Sequence, residues 1–182
     1  MKKNILIGIT GGIAAYKACS LVTSLLKEGH DIKVIMTDSA TKFVSPLTFQ
    51  ALTNHAVYTD MWNIQNPEEV EHISLAKWAD VIVIAPATAN TISKMVHGLA
   101  DNLLTTVILA APSQTPILVA PAMNTQMWLN PITQGNIKKL EAMEKYRIIN
   151  PREGKLACRD EGAGKIADIE TILSEIKKVF HD

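Results

Sequence analysis

Short apolar runs recur along the chain, each followed by a stretch with helical period. The runs at residues 5–9, 32–36, 81–85, 117–120 and 147–149 are continuous rather than alternating. Strands of that kind are buried on both faces, as in a parallel sheet. Helix period marks 13–27, 88–96, 102–109, 133–144 and 168–180. Strand and helix in alternation predict right-handed crossovers and a doubly wound, Rossmann-like α/β fold with helices on both faces of a parallel sheet. No repeat, low-complexity tract or linker divides the chain, so 1–182 is read as a single domain. Two stretches break the rhythm, one polar and mixed at 53–71, the other rich in glycine and charge at 150–166. Loops of that length in a compact domain serve as lids or interface segments.

Charge narrows the function. The 18 basic and 18 acidic side chains cancel. A binder of nucleic acid or of a membrane surface needs a net basic face, so neither partner is expected. A small anion held by backbone amides stays open. Cys19 and Cys158 have no metal-ligand spacing, and two thiols in 182 residues suit a reducing compartment. The start MKKNILIGITGGIAAYKA has a basic end and an apolar stretch, as an export signal does. Its glycines and Lys17 instead suit the first strand and helix of a folded domain. No apolar run approaches the roughly 20 residues of a membrane span. The expected location is the cytoplasm.

Ligands of such sheets bind beyond the carboxyl ends of the strands. Three stretches fall there. In GITGGIAAYK, Gly11 and Gly12 permit close backbone approach, Thr10 offers a hydroxyl, and the helix start at Ile13 presents N–H groups suited to phosphate. The dinucleotide fingerprint GxGxxG is absent, and the glycines also suit a plain turn. In APATANTISK, Pro86 is read as ending a strand. Thr88, Ala89, Asn90 and Thr91 open the next helix. One of these polar side chains suffices as a cap. With Thr37 and Ser39 after the second strand, they make a hydroxyl-rich rim suited to a sugar phosphate. In PAMNTQMW, Met123, Met127 and Trp128 suit either a core or a recognition surface, and Asn124 either a cap or a ligand contact.

His72, in EVEHISLAKWAD, has Glu71 and Lys77 as neighbours that tune a proton-transfer group. A structural role is the ordinary alternative for a lone histidine. Cys158, in GKLACRDEGAGK, lies among Lys155, Arg159 and Lys165, which favour a thiolate, and Asp160 and Glu161, which oppose it. Cys19, at an apolar helix position, is read as packing.

Together GITGGIAAYK, HISLAKWADVIVIAPATANTISK, GLADNLL, PAMNTQMW and LACRDEGAGK resemble the homo-oligomeric flavin-containing cysteine decarboxylases over nearly the whole chain. The resemblance implies FMN held by the glycine turn and by the Pro-Ala-Thr-Ala-Asn-Thr run, with Ala122 beside it. It implies catalysis by His72, and substrate recognition by Asn124, Met127 and Lys77. In this family the flavin oxidises the cysteinyl thiol to a thioaldehyde, carbon dioxide leaves, and an enethiolate results. Members of the coenzyme A branch then re-reduce it, with a loop cysteine as proton donor. Relatives acting on lantibiotic peptides stop at the enethiol. Cys158 points to the coenzyme A branch, whose substrate is 4'-phosphopantothenoylcysteine and whose product is 4'-phosphopantetheine. Arg159 stands where a glycine often follows that cysteine. The resemblance further implies a homotrimer, or trimers assembled into a dodecamer, with active sites between subunits. A separate ligase is expected to join phosphopantothenate to cysteine.

Overall fold

Six strands form one parallel sheet in a computed structural model of the chain, which describes residues 1–62, 70–155 and 161–181. They are β1 (Asn4–Ile9), β2 (Asp31–Met36), β3 (Val57–Tyr58), β4 (Val81–Ala87), β5 (Ile117–Pro121) and β6 (Tyr146–Ile148). Their spatial order is β3-β2-β1-β4-β5-β6, with every neighbouring pair parallel. Strand order therefore reverses between β1 and β4, where such sheets open a crevice at their carboxyl edge. The doubly wound fold expected from the sequence is the one observed.

Connecting segments supply α1 (Lys17–Lys27, entered through a 3₁₀ turn at Ile13–Tyr16), α2 (Asp38–Thr41), α3 (Pro46–Thr53) and α4 (Glu71–Trp78). Further along come α5 (Ala89–His97), α6 (Leu103–Ala110), α7 (Thr125–Leu129), α8 (Pro131–Glu141) and α9 (Ile169–Val179). Alternate side chains of each strand enter different cores. Ile5, Ile7 and Ile9 pack with Leu21 of α1, Phe49 of α3 and Ile172 of α9. Leu6, Ile82 and Ile84 pack with Leu75 of α4, Ile92 of α5, Leu104 of α6 and Ile137 of α8. Two covered faces explain why the strands read as unbroken apolar runs.

Four features depart from the sequence reading. Pro86 does not end β4, which continues to Ala87 past a cis Ala85–Pro86 bond. Its missing N–H falls where pairing with β5 shifts register, and its carbonyl accepts from the Thr10 N–H just past β1. Residues 38–53 and 71–78, assigned to no element, form α2, α3 and α4. The first two are announced by caps instead of period: Thr37 accepts from the Ala40 N–H, and Ser45, ahead of Pro46, accepts from the Leu47 N–H. The polar stretch at 53–71 contains β3, whose two residues extend the sheet beside β2. Residues 150–166 hold an antiparallel hairpin, β7 (Arg152–Lys155) and β8 (Glu161–Lys165).

Candidate active site

The turns after β1, β4 and β5 are tied together by hydrogen bonds. Thr10, buried at the end of β1, donates its hydroxyl to the Pro86 carbonyl (2.8 Å) and accepts from the Thr88 N–H (3.0 Å). The Ala122 N–H donates to the Ala87 carbonyl (3.0 Å), joining the β5 turn to the β4 turn. The Met123 N–H donates to the Gly164 carbonyl (3.0 Å), which brings β8 onto the same edge. A chain of backbone contacts thus runs from the glycine turn to the hairpin.

Close approach makes this possible. A Cβ on Gly164, whose φ is +124°, would overlap the Met123 carbonyl oxygen. One on Gly11 would overlap the Cβ of Ser39. Only glycine lets those backbones meet. Gly12 differs: its backbone is extended (φ −177°), and a Cβ there would meet no protein atom within 4 Å.

Between these turns lies a cavity of about 660 Å³, within the size range of cofactor and substrate sites. Of the site residues named from the sequence, Gly11, Gly12, Ile13, Thr88, Ala89, Ala122, Asn124 and Met127 line it. Thr10, Thr37, Ser39, Asn90 and Thr91 do not. Thr10 is spent on the brace. Thr37 caps α2, Thr88 caps α5 by accepting from the Thr91 N–H, and Ser39 packs on Gly11. His72 and Lys77 lie on α4, no residue of which lines the cavity. Cys158 lies outside the described residues; the strands flanking its loop both reach the cavity, through Lys155 and Lys165.

Asn124 plays two parts. Its side-chain oxygen accepts from the Gln126 N–H (2.8 Å), capping α7 and fixing which end of the amide donates. Met123 and Trp128 pack against the core, while Met127 remains half-exposed at the cavity.

The sequence reading missed Tyr16, Lys17 and Ile166 as lining residues, and saw Lys155 and Lys165 only as neighbours of Cys158. No acidic side chain lines the cavity among the described residues. Burial, and secondarily the positive charges of Arg152 and Lys165, push the Lys17 ammonium below its ordinary pKa; Asp168 works against them. That carboxylate is paired with Arg152 (2.5 Å). Cys19 packs beside the first core, and burial pushes its thiol up, as befits a structural residue.

The bifunctional coenzyme A biosynthesis protein CoaBC of Bacillus subtilis is 49% identical over 98% of this chain, which spans 43% of that protein's length. A probable phosphopantothenoylcysteine decarboxylase of Streptococcus mutans is 46% identical, over 98% of this chain and 99% of its own. Among solved structures, a mutant PPC decarboxylase complexed with pantothenoylaminoethenethiol superimposes with a TM-score of 0.92 at 35% identity, each chain covered in full. The FMN-binding protein AtHal3 does so with a TM-score of 0.87 at 36% identity, over 100% of this chain and 98% of that one. A family model described as Flavoprotein matches residues 1–181, and with these relatives it shows that the chain belongs to the Flavoprotein family.

Proposed function

We propose that residues 1–182 form one FMN-binding domain that decarboxylates 4'-phosphopantothenoylcysteine to 4'-phosphopantetheine in coenzyme A biosynthesis. The observation that carries this reading is the single cavity at which the glycine turn, the Thr88–Ala89 turn and the Asn124–Met127 segment face one another. The residues fit the cofactor. At Gly12 the backbone is open to a ligand, no side chain caps the helix start that follows, and no acid stands in its first turn. Exposed N–H groups there suit a phosphate, and the apolar walls of Ile13, Ala89 and Ala122 suit a ring system.

Bound FMN supplies a reversible two-electron oxidation of the cysteinyl thiol, which makes loss of the neighbouring carboxylate possible. The chain's own groups do the rest. Asn124 donates its amide to the substrate carboxylate, at an orientation held by its bond to Gln126. Met127 packs against the cysteinyl unit, and Lys77 contributes charge to substrate binding. His72 would take up the proton released from the cysteinyl thiol on its oxidation, and Cys158 would donate one to the enethiolate carbon.

His72 stands on α4, away from its own chain's cavity, so in this reading it serves the cavity of a second copy in a homotrimer. Large apolar side chains stand exposed, among them Leu47 (66%), Trp62 (78%) and Ile132 (75%), and an interface between copies would cover such side chains. The enzyme acts in the cytoplasm; no helix among the described residues is long and apolar enough to cross a membrane. A ligase outside residues 1–182 makes its substrate.

Incubation of the purified yellow protein with 4'-phosphopantothenoylcysteine tests the reading. Carbon dioxide and 4'-phosphopantetheine are expected, and no carbon dioxide would overturn it. Cys158→Ser should still release carbon dioxide but accumulate the oxidised enethiol, because a serine hydroxyl is a far weaker acid than a thiol. Ordinary product at the wild-type rate would remove Cys158 from the mechanism.

A further inference from the structure

We propose that Lys17 and Lys165, with Lys155 beside them at the cavity mouth, bind the distal phosphomonoester of the substrate and so select a phosphorylated small molecule over a peptidyl cysteine. The inference rests on the decarboxylase reading above and goes beyond it by assigning a subsite.

Three lysines face one cavity with no acidic side chain among its described lining residues, in a chain whose charges balance overall. Arg152, on the same hairpin as Lys165, is paired with Asp168, the carboxylate that acts on Lys17 among the described residues. An anion of more than one charge is what such a cluster fits. Two phosphomonoesters are candidates, that of FMN and that of the substrate. Location separates them. Among the described residues the cations acting on Lys17 are Arg152 and Lys165, both from the hairpin, which is docked on Met123 beside Asn124. Lys165 therefore adjoins the segment proposed to recognise substrate, and Lys17, at the start of α1, lies within electrostatic reach of it. The flavin's phosphate has the neutral donors of the Gly11–Gly12 turn, where Gly12 leaves the backbone open. Burial of Lys17 in the same wall lowers its pKa, as expected of a cation awaiting an anion.

The test uses the FMN-loaded protein with Lys17→Gln, Lys165→Gln and the double substitution. Flavin content, and calorimetric binding of 4'-phosphopantetheine and of pantetheine, are measured for each. A charge-assisted hydrogen bond lost to a phosphate reduces affinity by about 10–100-fold. The phosphorylated product should weaken by that factor relative to pantetheine in the double variant, with FMN retained. Lys17→Arg should keep most of the preference. Equal weakening of both ligands, an unchanged ratio, or loss of FMN from variants that remain folded would each overturn the assignment. If Lys17→Gln does not fold, Lys165→Gln alone, on the partly exposed hairpin, decides by the same ratio. Wild-type protein that binds 4'-phosphopantetheine tightly yet releases no carbon dioxide from the substrate would fail as a decarboxylase. The subsite would still be judged by the binding ratio.

Discussion

A side chain at position 11 would press on the Ser39 backbone as well as its Cβ, since the Ser39 carbonyl carbon lies 2.9 Å from the position a Cβ would take. Gly11→Asp therefore displaces the start of α2 and sets a carboxylate beside the N–H groups proposed to hold the phosphate. The purified variant should be colourless, and full flavin content by absorbance would show that this turn does not hold the cofactor. Asn124→Asp separates recognition from folding. Aspartate caps a helix as well as asparagine does, so the melting temperature should stay close to wild type. The donor is lost and a like charge faces the substrate carboxylate, so kcat/KM should fall by at least about 100-fold. His30 offers a test of stability. Its ring lies against Phe180, its Nδ1 is buried with no hydrogen-bond partner among the described residues, and burial holds its pKa below the ordinary 6.5. Glu28 raises that pKa, while the N-terminus and Lys177 lower it further. The unfolded chain therefore binds a proton first as pH falls through 6.5, and this contribution to stability is lost on acidification below that value. His30→Leu should flatten the drop in melting temperature between about pH 7.5 and about pH 5.5; an unchanged drop would place its cause elsewhere.

Among the elements, the hairpin of β7 and β8 is held to the site by backbone contact. Gly164→Ala drives a Cβ into the Met123 carbonyl at a φ of +124°, which only glycine adopts readily. Strain of that kind costs roughly 1–3 kcal/mol, so KM for the substrate should rise about tenfold while flavin content holds. An unchanged KM would mean that the hairpin's seat does not matter to substrate binding. The hairpin was not legible in the sequence because its strands carry glycine and charge where apolar periodicity would show. The long apolar strands were legible because burial on both faces leaves no room for polar residues. The helices α2 to α4 were overlooked, being four to eight residues long and too short to establish a period. At the site, the turns after β1, β4 and β5 were readable from glycine, proline and small polar residues. The cationic wall was not, since Lys17 and Lys165 are far apart in the chain and line one cavity only in the folded state.

At the scale of the whole molecule, a shared active site has a consequence that a self-contained one lacks. His72→Asn and Asn124→Asp should each be inactive alone. If His72 serves a neighbour's cavity, random mixing of the two variants restores about a quarter of the sites in a cyclic trimer. Coexpression with two affinity tags and a carbon dioxide assay would show it, and mixed assemblies without activity would place both residues in one chain's site. The cavity wall, which carries lysines and no acid among the described residues, bears on kinetics too. A neutral molecule exerts little long-range pull on an ion, yet cations gathered at one opening create a local field that guides anions inward. That field reaches about 30 Å at about 0.01 M salt and about 8 Å at about 0.15 M. Capture of a phosphorylated substrate should slow several-fold over that range, and capture of its dephosphorylated counterpart much less, as stopped-flow flavin reduction would report. A chain with 18 charges of each sign would then meet its substrate at the rate of a basic protein.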